Sequence, residues 1–351
     1  MKRIRVLHLL CSNRFSGAEN VVCQIIHMFS ACEEFEMFYC SPDGQIREAL
    51  EERNVNYVPI ARISVGEIRK AIRIVRPDII HAHDMRASFF AALACGSIPL
   101  VLHIHNNNFD SRKLSVKSVL FLYAAQKAKH IFWVSKSSFD GYRFHNLLKK
   151  KSAILFNVID VKALYKKAEL DPKTYSYDAV YLGRLTYQKN PQRLIEVLSK
   201  AVKDTPSFTA AILGDGEDAE EVKKLIRNNN IQNSVSYLGF SDNPYKILQT
   251  AKLMIMTSRW EGTPMCALEA IAMGVPIVST PVDGMCDLIV DDQNGYLSND
   301  NEKLAKRCSE IATNATLQKR LSDGAKQTAN GIMNVECYRN AISSVYHRIA
   351  E

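Results

Sequence analysis

Short apolar runs alternate with segments of helical periodicity along almost the whole chain. The runs have the length of buried strands, whereas the segments between them repeat apolar residues every three or four positions, as amphipathic helices do. The predicted strands are residues 4–10, 37–40, 57–60, 79–83, 100–105, 131–134, 153–156, 179–182, 209–213, 235–238, 253–256 and 276–279. Strands that alternate with helices form βαβ units, so the pattern predicts an α/β protein with parallel sheets and helices on both faces.

The alternation breaks once, in a polar stretch at residues 162–176, and then restarts. A chain of 351 residues is also longer than a single hydrophobic core usually serves. We therefore predict two Rossmann-like, doubly wound domains, over residues 1–165 and 166–334. Ligands of such open sheets bind beyond the carboxyl ends of the strands, so the two domains are expected to face a shared cleft.

Positive charge is concentrated in the first predicted domain. Residues 1–165 carry a net charge of +9 and residues 166–351 a net charge of −1. Within the first domain, residues 112–129 are basic at both ends and apolar between. A one-sided basic domain fits an anionic partner, and we expect peripheral contact with an anionic membrane surface. The alternative is that residues 112–129 form an ordinary solvated helix face. The sequence shows no basic segment interleaved with aromatic residues, so it gives no indication of nucleic-acid binding.

Nine cysteines are scattered without a C-x-x-C pair, which argues against a disulfide framework and against a zinc ribbon. The apolar run at residues 6–10 is too short for the core of an export signal. The most apolar longer stretch, residues 89–104, is interrupted by Gly96, Ser97 and Pro99, so it is not predicted to span a membrane. We expect a cytoplasmic protein that meets the inner face of the cell membrane peripherally.

Two acidic residues, Glu261 and Glu269, stand eight positions apart where a predicted strand passes through a Gly-Pro turn into a predicted helix. Four further motifs follow earlier strands: Ser16-Gly17-Ala18-Glu19, His105, Gly183-Arg184-Leu185-Thr186-Tyr187-Gln188-Lys189-Asn190 and Gly214-Asp215-Gly216. In this order and spacing they resemble the E-x7-E signature of the retaining nucleotide-sugar glycosyltransferases of family four, also named glycosyl transferases group 1. The resemblance spans nearly the whole chain and implies the GT-B fold, in which the last helix, here residues 335–351, crosses back to the first domain.

The resemblance implies that the second domain binds a nucleotide-sugar donor. The implied donor-binding residues are Gly17, Arg184, Lys189, Gly214, Gly262, Thr263, Pro264, Met265 and Glu269. Arg184 and Lys189 match positions that contact the diphosphate, and the carboxylate of Glu269 would accept two hydrogen bonds from the ribose hydroxyls. The chain has no D-x-D motif, so fixed cations and helix N-termini would stabilise the leaving diphosphate without a metal or other cofactor.

The implied catalytic residues are Glu261, which contacts the donor sugar, and His105, which lies beside the reacting carbon. His83 and His103 are implied on the acceptor side. Because the family often has a smaller residue at position 103, the choice between His103 and His105 stays open. His81, His83, His103 and His105 could also converge on zinc or iron, but the resemblance implies no metal there.

The implied function is the retaining transfer of a hexose or N-acetylhexosamine from a nucleotide sugar, with UDP as the expected carrier. The expected acceptor is a lipid-linked or growing saccharide in the synthesis of capsule, exopolysaccharide or lipopolysaccharide O-antigen. Two alternatives remain open. The chain could be a nucleotide-sugar epimerase of the same fold, or a non-catalytic subunit that binds a sugar nucleotide.

Overall fold

The computed structural model describes residues 3–105 and 109–350. The chain forms two compact α/β units, one comprising Met1–Asn157 with Val335–Glu351 and the other Val158–Asn334. The division between the units therefore falls at residue 157, before the predicted boundary at residue 165. The polar stretch at residues 162–176 is partly helical and packs within the second unit.

A seven-stranded parallel sheet forms the first unit, with the strand order β3-β2-β1-β4-β5-β6-β7. The strands are β1 (Ile4–Leu9), β2 (Phe35–Pro42), β3 (Tyr57–Ile60), β4 (Ile79–His83), β5 (Leu100–Ile104), β6 (His130–Trp133) and β7 (Ser152–Ile154). All seven predicted strands are present, with ends shifted by a few residues. The order reverses between β1 and β4, which is the switch point where open sheets of this kind bind ligands.

The helices of the first unit that precede the division are α1 (Gly17–Met28), α2 (Ile46–Glu51), α3 (Val65–Val75), α4 (Asp84–Ala94), α5 (Val116–Lys127) and α6 (Lys136–Gly141). Serine side chains cap α3, α5 and α6 by accepting a backbone N–H three residues further on. One face of the sheet is apolar, and its Leu9 and Leu102 belong to the same buried cluster as Ala91 of α4 and Phe121 of α5.

The second unit contains a six-stranded parallel sheet with the order β10-β9-β8-β11-β12-β13. Its strands are β8 (Ala179–Leu182), β9 (Ala210–Leu213), β10 (Val235–Gly239), β11 (Leu253–Met256), β12 (Ile277–Ser279) and β13 (Gly295–Leu297). Its helices are α7 (Val161–Glu169), α8 (Pro191–Asp204), α9 (Ala219–Asn228), α10 (Tyr245–Thr250), α11 (Met265–Ala272), α12 (Asp283–Leu288), α13 (Asn301–Thr313) and α14 (Ala315–Ile332). Apolar clusters fill both faces of this sheet, so its polar chemistry is confined to the loops.

The last helix, α15 (Val335–Ala350), packs in the first unit. Its buried side chains are Tyr338, Ile342, Val345 and Tyr346. Tyr346 reaches the sheet, where its hydroxyl lies 2.6 Å from Nδ1 of His81 on β4. Among residues 3–105 and 109–350, no helix is both long enough and apolar enough to cross a membrane.

Candidate active site

Two loops of the second unit, residues 183–190 after β8 and 257–264 after β11, are joined by hydrogen bonds. The backbone N–H of Arg259 donates to the carbonyl of Gln188 at 2.8 Å. In return, Nε2 of Gln188 donates to the carbonyl of Trp260 at 3.0 Å. Because β8 and β11 are neighbours in the sheet, these bonds hold the carboxyl ends of two adjacent strands in one fixed arrangement.

Lys189 and Glu261 form a shielded ion pair between these loops. Nζ of Lys189 lies 2.6 Å from Oε1 of Glu261, and their side chains are only 11% and 6% exposed. The hydroxyl of Ser258 donates to the same carboxylate oxygen at 2.6 Å. Burial lowers the pKa of Lys189, but the Glu261 carboxylate and its hydrogen bond offset this, and the pKa is raised overall. Lys189 therefore remains a cation that an anionic ligand can engage.

Arg184, on the same loop, is exposed, and no carboxylate of the described chain forms an ion pair with its guanidinium. The carbonyl of Arg184 accepts a hydrogen bond from the hydroxyl of the buried Tyr181 at 3.0 Å, which anchors the loop from below. The structure thus separates two predicted cations, one paired and shielded, the other solvated.

Helix α11 begins directly after the buried residues 261–264, with Pro264 at the N-cap and Met265 as its first residue. The segment also packs closely on α12, since a Cβ added to Gly284 would lie 1.6 Å from the carbonyl oxygen of Gly262. Glycine at position 284 is therefore required for this packing. The arrangement leaves the first N–H groups of α11 beside the ion pair, in the position where a helix favours an anion.

Glu269 lies in the second turn of α11 and is partly buried. Burial raises the pKa of its carboxyl to about 7, although a hydrogen bond from Tyr245 and the charge of Lys167 act in the opposite direction. The Tyr245 hydroxyl donates to Oε1 of Glu269 at 3.2 Å. Tyr245 was not among the predicted site residues, because its contact with Glu269 depends on the packing of α10 beside α11.

The glycines predicted to approach the donor differ in what the fold demands of them. Gly214 has φ +147°, and a Cβ there would lie 1.9 Å from the carbonyl oxygen of Gly183, so the fold itself requires glycine. Gly17 is exposed at the start of α1, and a Cβ there would meet no heavy atom within 4 Å. Packing thus explains Gly214 without a ligand and does not explain Gly17; the donor-binding role of each stays a prediction.

Six buried histidines line the sheet face of the first unit opposite its apolar cluster. We name this the histidine face, and its members are His8, His81, His83, His103, His105 and His130. The two-residue repeat of a strand puts His81 and His83 on one side of β4, and likewise His103 and His105 at the end of β5. Sequence patterns indicated four of the six. His8 was missed because its proximity follows from the β1–β4 register, in which it pairs with His81.

Three members of the histidine face form a hydrogen-bonded chain. Nδ1 of His8 lies 3.0 Å from Nε2 of His83, and Nδ1 of His83 lies 2.9 Å from Nε2 of His105. Burial lowers the pKa of His8 and of His105 to about 3, and burial also lowers the pKa of His83 well below its usual range. The rings are therefore neutral at physiological pH. His105 can act there only as a neutral imidazole, either by orienting a ligand through hydrogen bonds or by accepting a proton.

Backbone contacts fix the position of His105. Its N–H donates to Oδ1 of Asp84 at 2.9 Å. Asp84 begins α4 with φ +64°, in the left-handed region that non-glycine residues seldom occupy. His103, its neighbour along the strand, stacks on the His105 ring at 4.4 Å between centroids, but neither of its own ring nitrogens has a hydrogen-bond partner in the described chain.

Two family models together cover most of the chain. The model for glycosyl transferases group 1 matches residues 163–328, which include Lys189, Glu261 and Glu269. The model for Glycosyltransferase Family 4 matches residues 15–163. The chain belongs to glycosyltransferase family four. The two matches meet at residue 163, close to the division between the structural units.

Relatives of this family-four chain include bacterial enzymes of glycan synthesis. One is the N-acetylgalactosamine-N,N'-diacetylbacillosaminyl-diphospho-undecaprenol 4-alpha-N-acetylgalactosaminyltransferase of Campylobacter jejuni. This chain is 29% identical to it, over 93% of this chain and 95% of the Campylobacter protein. The chain is 28% identical to the poly(glycerol-phosphate) alpha-glucosyltransferase of Bacillus subtilis over 64% of its own length. That match spans only 34% of the Bacillus protein.

Among solved structures, the crystal structure of Anabaena Alr3699/HepE in complex with UDP-glucose superimposes with a TM-score of 0.85. The superposition covers 99% of this chain and 100% of the Anabaena chain at 19% sequence identity. A likeness at this identity establishes the fold, and the family-four chain has the GT-B architecture of two Rossmann-like domains predicted from its motifs.

Proposed function

We propose that this family-four member is a retaining glycosyltransferase that uses a UDP-sugar donor and needs no metal at the diphosphate. The observation that carries the proposal is the shielded pair of Lys189 and Glu261 beside the first turn of α11. A buried ion pair contributes little to stability and is costly if one member is lost. Its place at the carboxyl ends of β8 and β11 gives it a ligand-binding purpose that packing alone does not supply.

Donor binding would exchange the partners of this pair. The diphosphate would take Lys189 as a counter-ion, with Arg184 and the N–H groups of α11 as further neutralising groups. Glu261 would then be released to accept hydrogen bonds from hydroxyls of the transferred sugar. Lys189 would then be paired with an anion both with and without donor, and Glu261 would receive hydrogen bonds from the sugar in place of the ammonium group.

Glu269 would bind the ribose. An ionised carboxylate accepts two hydrogen bonds from a vicinal diol, whereas a protonated one must donate one of its own. Because the pKa of Glu269 is about 7 in the unliganded chain, part of the population is protonated near neutral pH. Ribose binding favours the ionised form, and it should lower this pKa and release a proton.

Retention would follow from attack on the face from which the donor diphosphate leaves. The bond between the anomeric carbon and the diphosphate oxygen breaks, and the acceptor oxygen forms its bond on the same face. The departing phosphate oxygen takes the acceptor hydroxyl proton, which makes a separate carboxylate base unnecessary. His105 stays our predicted catalytic histidine: its backbone carbonyl would support the positive charge that develops at the anomeric carbon, and its ring would remain neutral. His83 and His103 stay predictions for the acceptor side.

A lipid-linked saccharide fits the surface chemistry of the first unit. Helix α5 buries one face against α4 and exposes a second apolar face, which we name the α5 stripe, made of Val116, Val119, Leu120 and Tyr123. These positions follow the helical repeat of three and four residues, and Lys113, Lys117 and Lys127 lie around them, exposed. An apolar stripe among lysines is suited to the interface of an anionic membrane, where such acceptors reside.

The decisive test is calorimetric titration of the chain with UDP, GDP, ADP and their sugars, with and without EDTA. We expect one nucleotide series, that of UDP, to bind equally well in EDTA and to bind weakly to Lys189→Ala. Lys303→Ala is the matched control, because Lys303 is an exposed lysine of the same unit on α13. Binding abolished by EDTA would overturn the metal-independent site, and absence of binding by every nucleotide would overturn the transferase proposal.

Product analysis separates the proposal from its alternatives. Transfer to a polyprenyl-diphosphate saccharide, with the anomeric configuration of the donor preserved, supports it. Conversion of the donor to an epimer without acceptor would instead identify an epimerase. Donor binding with neither outcome, unchanged in Glu261→Ala, would identify a non-catalytic subunit.

A further inference from the structure

Three histidines of the histidine face could share one ion. A ring nitrogen from each of His8, His81 and His83 lies within 4.8 Å of the other two. His8 comes from β1, while His81 and His83 come from the neighbouring β4. All three are buried to 2% exposure or less, so water competes poorly for their lone pairs.

In this set, one nitrogen of each ring is held by a group outside the set. His81 Nδ1 lies 2.6 Å from the Tyr346 hydroxyl, and His83 Nδ1 lies 2.9 Å from His105. His8 Nε2 contacts the sulfur of Met37 at 3.3 Å. Histidines that bind metals have this arrangement, in which an outer group fixes the tautomer and the ring orientation while the other nitrogen faces the ion.

Of the other three ring nitrogens, two lie next to each other and the third has no hydrogen-bond partner among the described residues. His8 Nδ1 and His83 Nε2 are 3.0 Å apart. His81 Nε2 is buried and has no hydrogen-bond partner among the described residues. A buried, unpaired nitrogen destabilises the folded chain, so its presence in the middle of a sheet needs an explanation.

The spacing is close to what a tetrahedral ion needs. With metal–nitrogen bonds of about 2.0–2.1 Å, two ligand nitrogens on one zinc ion are roughly 3.3 Å apart. The His8–His83 separation is only slightly shorter than this, and a ring nitrogen of His81 lies within 4.8 Å of both. The ligands are all imidazoles, which suit zinc, copper, iron and nickel rather than magnesium or calcium.

We propose that His8, His81 and His83 form a structural binding site for a divalent transition-metal ion of the zinc type, with Tyr346 as the outer group that positions His81. The ion would join β1 to β4 at the switch point of the first sheet and couple both strands to α15. The site goes beyond the proposed transfer reaction and is separate from the donor diphosphate, for which no metal is proposed.

A second set of three, His83, His103 and His105, also lies within the same distance limits. There, His103 has neither ring nitrogen held and the Nδ1 of His105 is unpaired, so that no outer group orients either ring. The deeper set is therefore the better-built site. The two sets share His83, and they can be told apart through the residues that they do not share.

The first experiment measures metal directly in the full chain without a histidine tag. The protein is unfolded in urea, refolded with either EDTA or Zn²⁺, and freed of loose ions before elemental analysis, since a buried site fills as the chain folds. We expect one tightly held zinc per chain and X-ray absorption showing imidazole ligands. Substitution of Co²⁺ should give the visible spectrum of a tetrahedral complex, in which a water molecule would be the fourth ligand beside the three imidazoles. Absence of bound metal, or a six-coordinate oxygen-type spectrum, would overturn the site.

Variants then assign the ligands. His81→Gln should abolish zinc binding, and Tyr346→Phe should weaken it about 10- to 100-fold through loss of the outer hydrogen bond. His130→Gln, on the same face but outside both sets, should retain full occupancy, and so should His103→Gln. Zinc lost in His103→Gln but retained in His8→Gln would overturn the assignment in favour of the other set. If His81→Gln does not fold, Tyr346→Phe and the wild-type absorption data still decide the question.

Discussion

The two sheets end in opposite kinds of polar chemistry. At the carboxyl ends of β4 and β5, the first unit buries neutral imidazoles that depend on hydrogen bonds to each other. At the ends of β8 and β11, the second unit holds a full charge pair. A buried charge is costly when it loses its partner, so the second site is suited to exchange one anion beside Lys189 for another. Neutral rings require orientation rather than compensation, and the first site is suited to fixed geometry.

The largest expected effect concerns the charge pair. Lys189→Ala should lower the transfer rate about 10²- to 10³-fold, because a fixed cation at the leaving group is lost. It should also destabilise the second unit by about 3–5 kcal/mol, since Glu261 is left as a buried charge. The double variant Lys189→Ala with Glu261→Ala should recover much of the stability but none of the activity. Steady-state kinetics and urea unfolding measure the two effects. Equal instability of the single and double variants would contradict the exchange mechanism.

A smaller effect is expected from Glu269. Its pKa of about 7 exceeds the ordinary value of 4.5, so the folded state retains a proton that the unfolded state has lost. Stability should therefore fall as pH rises from about 4.5 to 7 and stay low above it. Glu269→Gln should remove this trend and raise the free energy of unfolding at pH 8 by up to about 3 kcal/mol.

The same variant should bind UDP at least tenfold more weakly, because hydrogen bonds to a charged group contribute about 1.5–3 kcal/mol. Urea unfolding at pH 5 and pH 8 and titration with UDP measure the two opposed effects. Glu336→Gln, on the exposed surface of α15, is the control. A Glu269→Gln chain with unchanged pH dependence would show that the carboxyl is not held in the site as described.

For the first unit, the test is an apolar replacement. His103→Leu should raise the free energy of unfolding by about 1–2 kcal/mol in EDTA at neutral pH, because two unpaired buried nitrogens are removed. His347→Gln, exposed on α15, should leave stability unchanged. A destabilised His103→Leu chain would mean that the nitrogens of His103 have partners in solution. Stabilisation accompanied by loss of transfer would instead favour His103 over His105 as the functional histidine.

The smallest expected effect concerns the surface of the first unit. Val116→Ser on the α5 stripe should weaken binding to vesicles containing anionic lipids about fivefold, through loss of roughly 1 kcal/mol of apolar burial. Co-sedimentation with vesicles measures it. Ile74→Ser on α3, another exposed apolar residue with charged neighbours, is the control and should have no effect. Equal losses in the two variants would contradict a specific role for the stripe.

Sequence patterns predicted the sheets well because buried parallel strands are continuous apolar runs. The strand they missed, β13, is only Gly295–Leu297 and lacks such a run. They also placed most of α7 in the polar stretch between the two domains, because four of its nine residues are charged and only Leu164 and Ala168 are buried. Local composition cannot reveal that a polar helix packs on a neighbouring element.

The sequence could name candidate site residues, but not the contacts between them. The family resemblance supplied Lys189, Glu261 and Glu269. It did not show that the first two meet, since they are 72 residues apart and join only where β8 pairs with β11. Nor did it show His8 beside His83, a contact across 75 residues that depends on strand register. Such contacts depend on tertiary packing, which no local motif records.

The position of α15 also affects the order in which the chain can mature. Residues 335–350 emerge from the ribosome after the whole second unit, yet they supply Tyr346 to the sheet of the first. The histidine face of the nascent first unit is therefore incompletely covered while the second unit is synthesised. The second unit is a continuous segment and can fold during that time. A premature stop within α15 should consequently expose the first unit to proteases and aggregation while leaving the second unit's core intact.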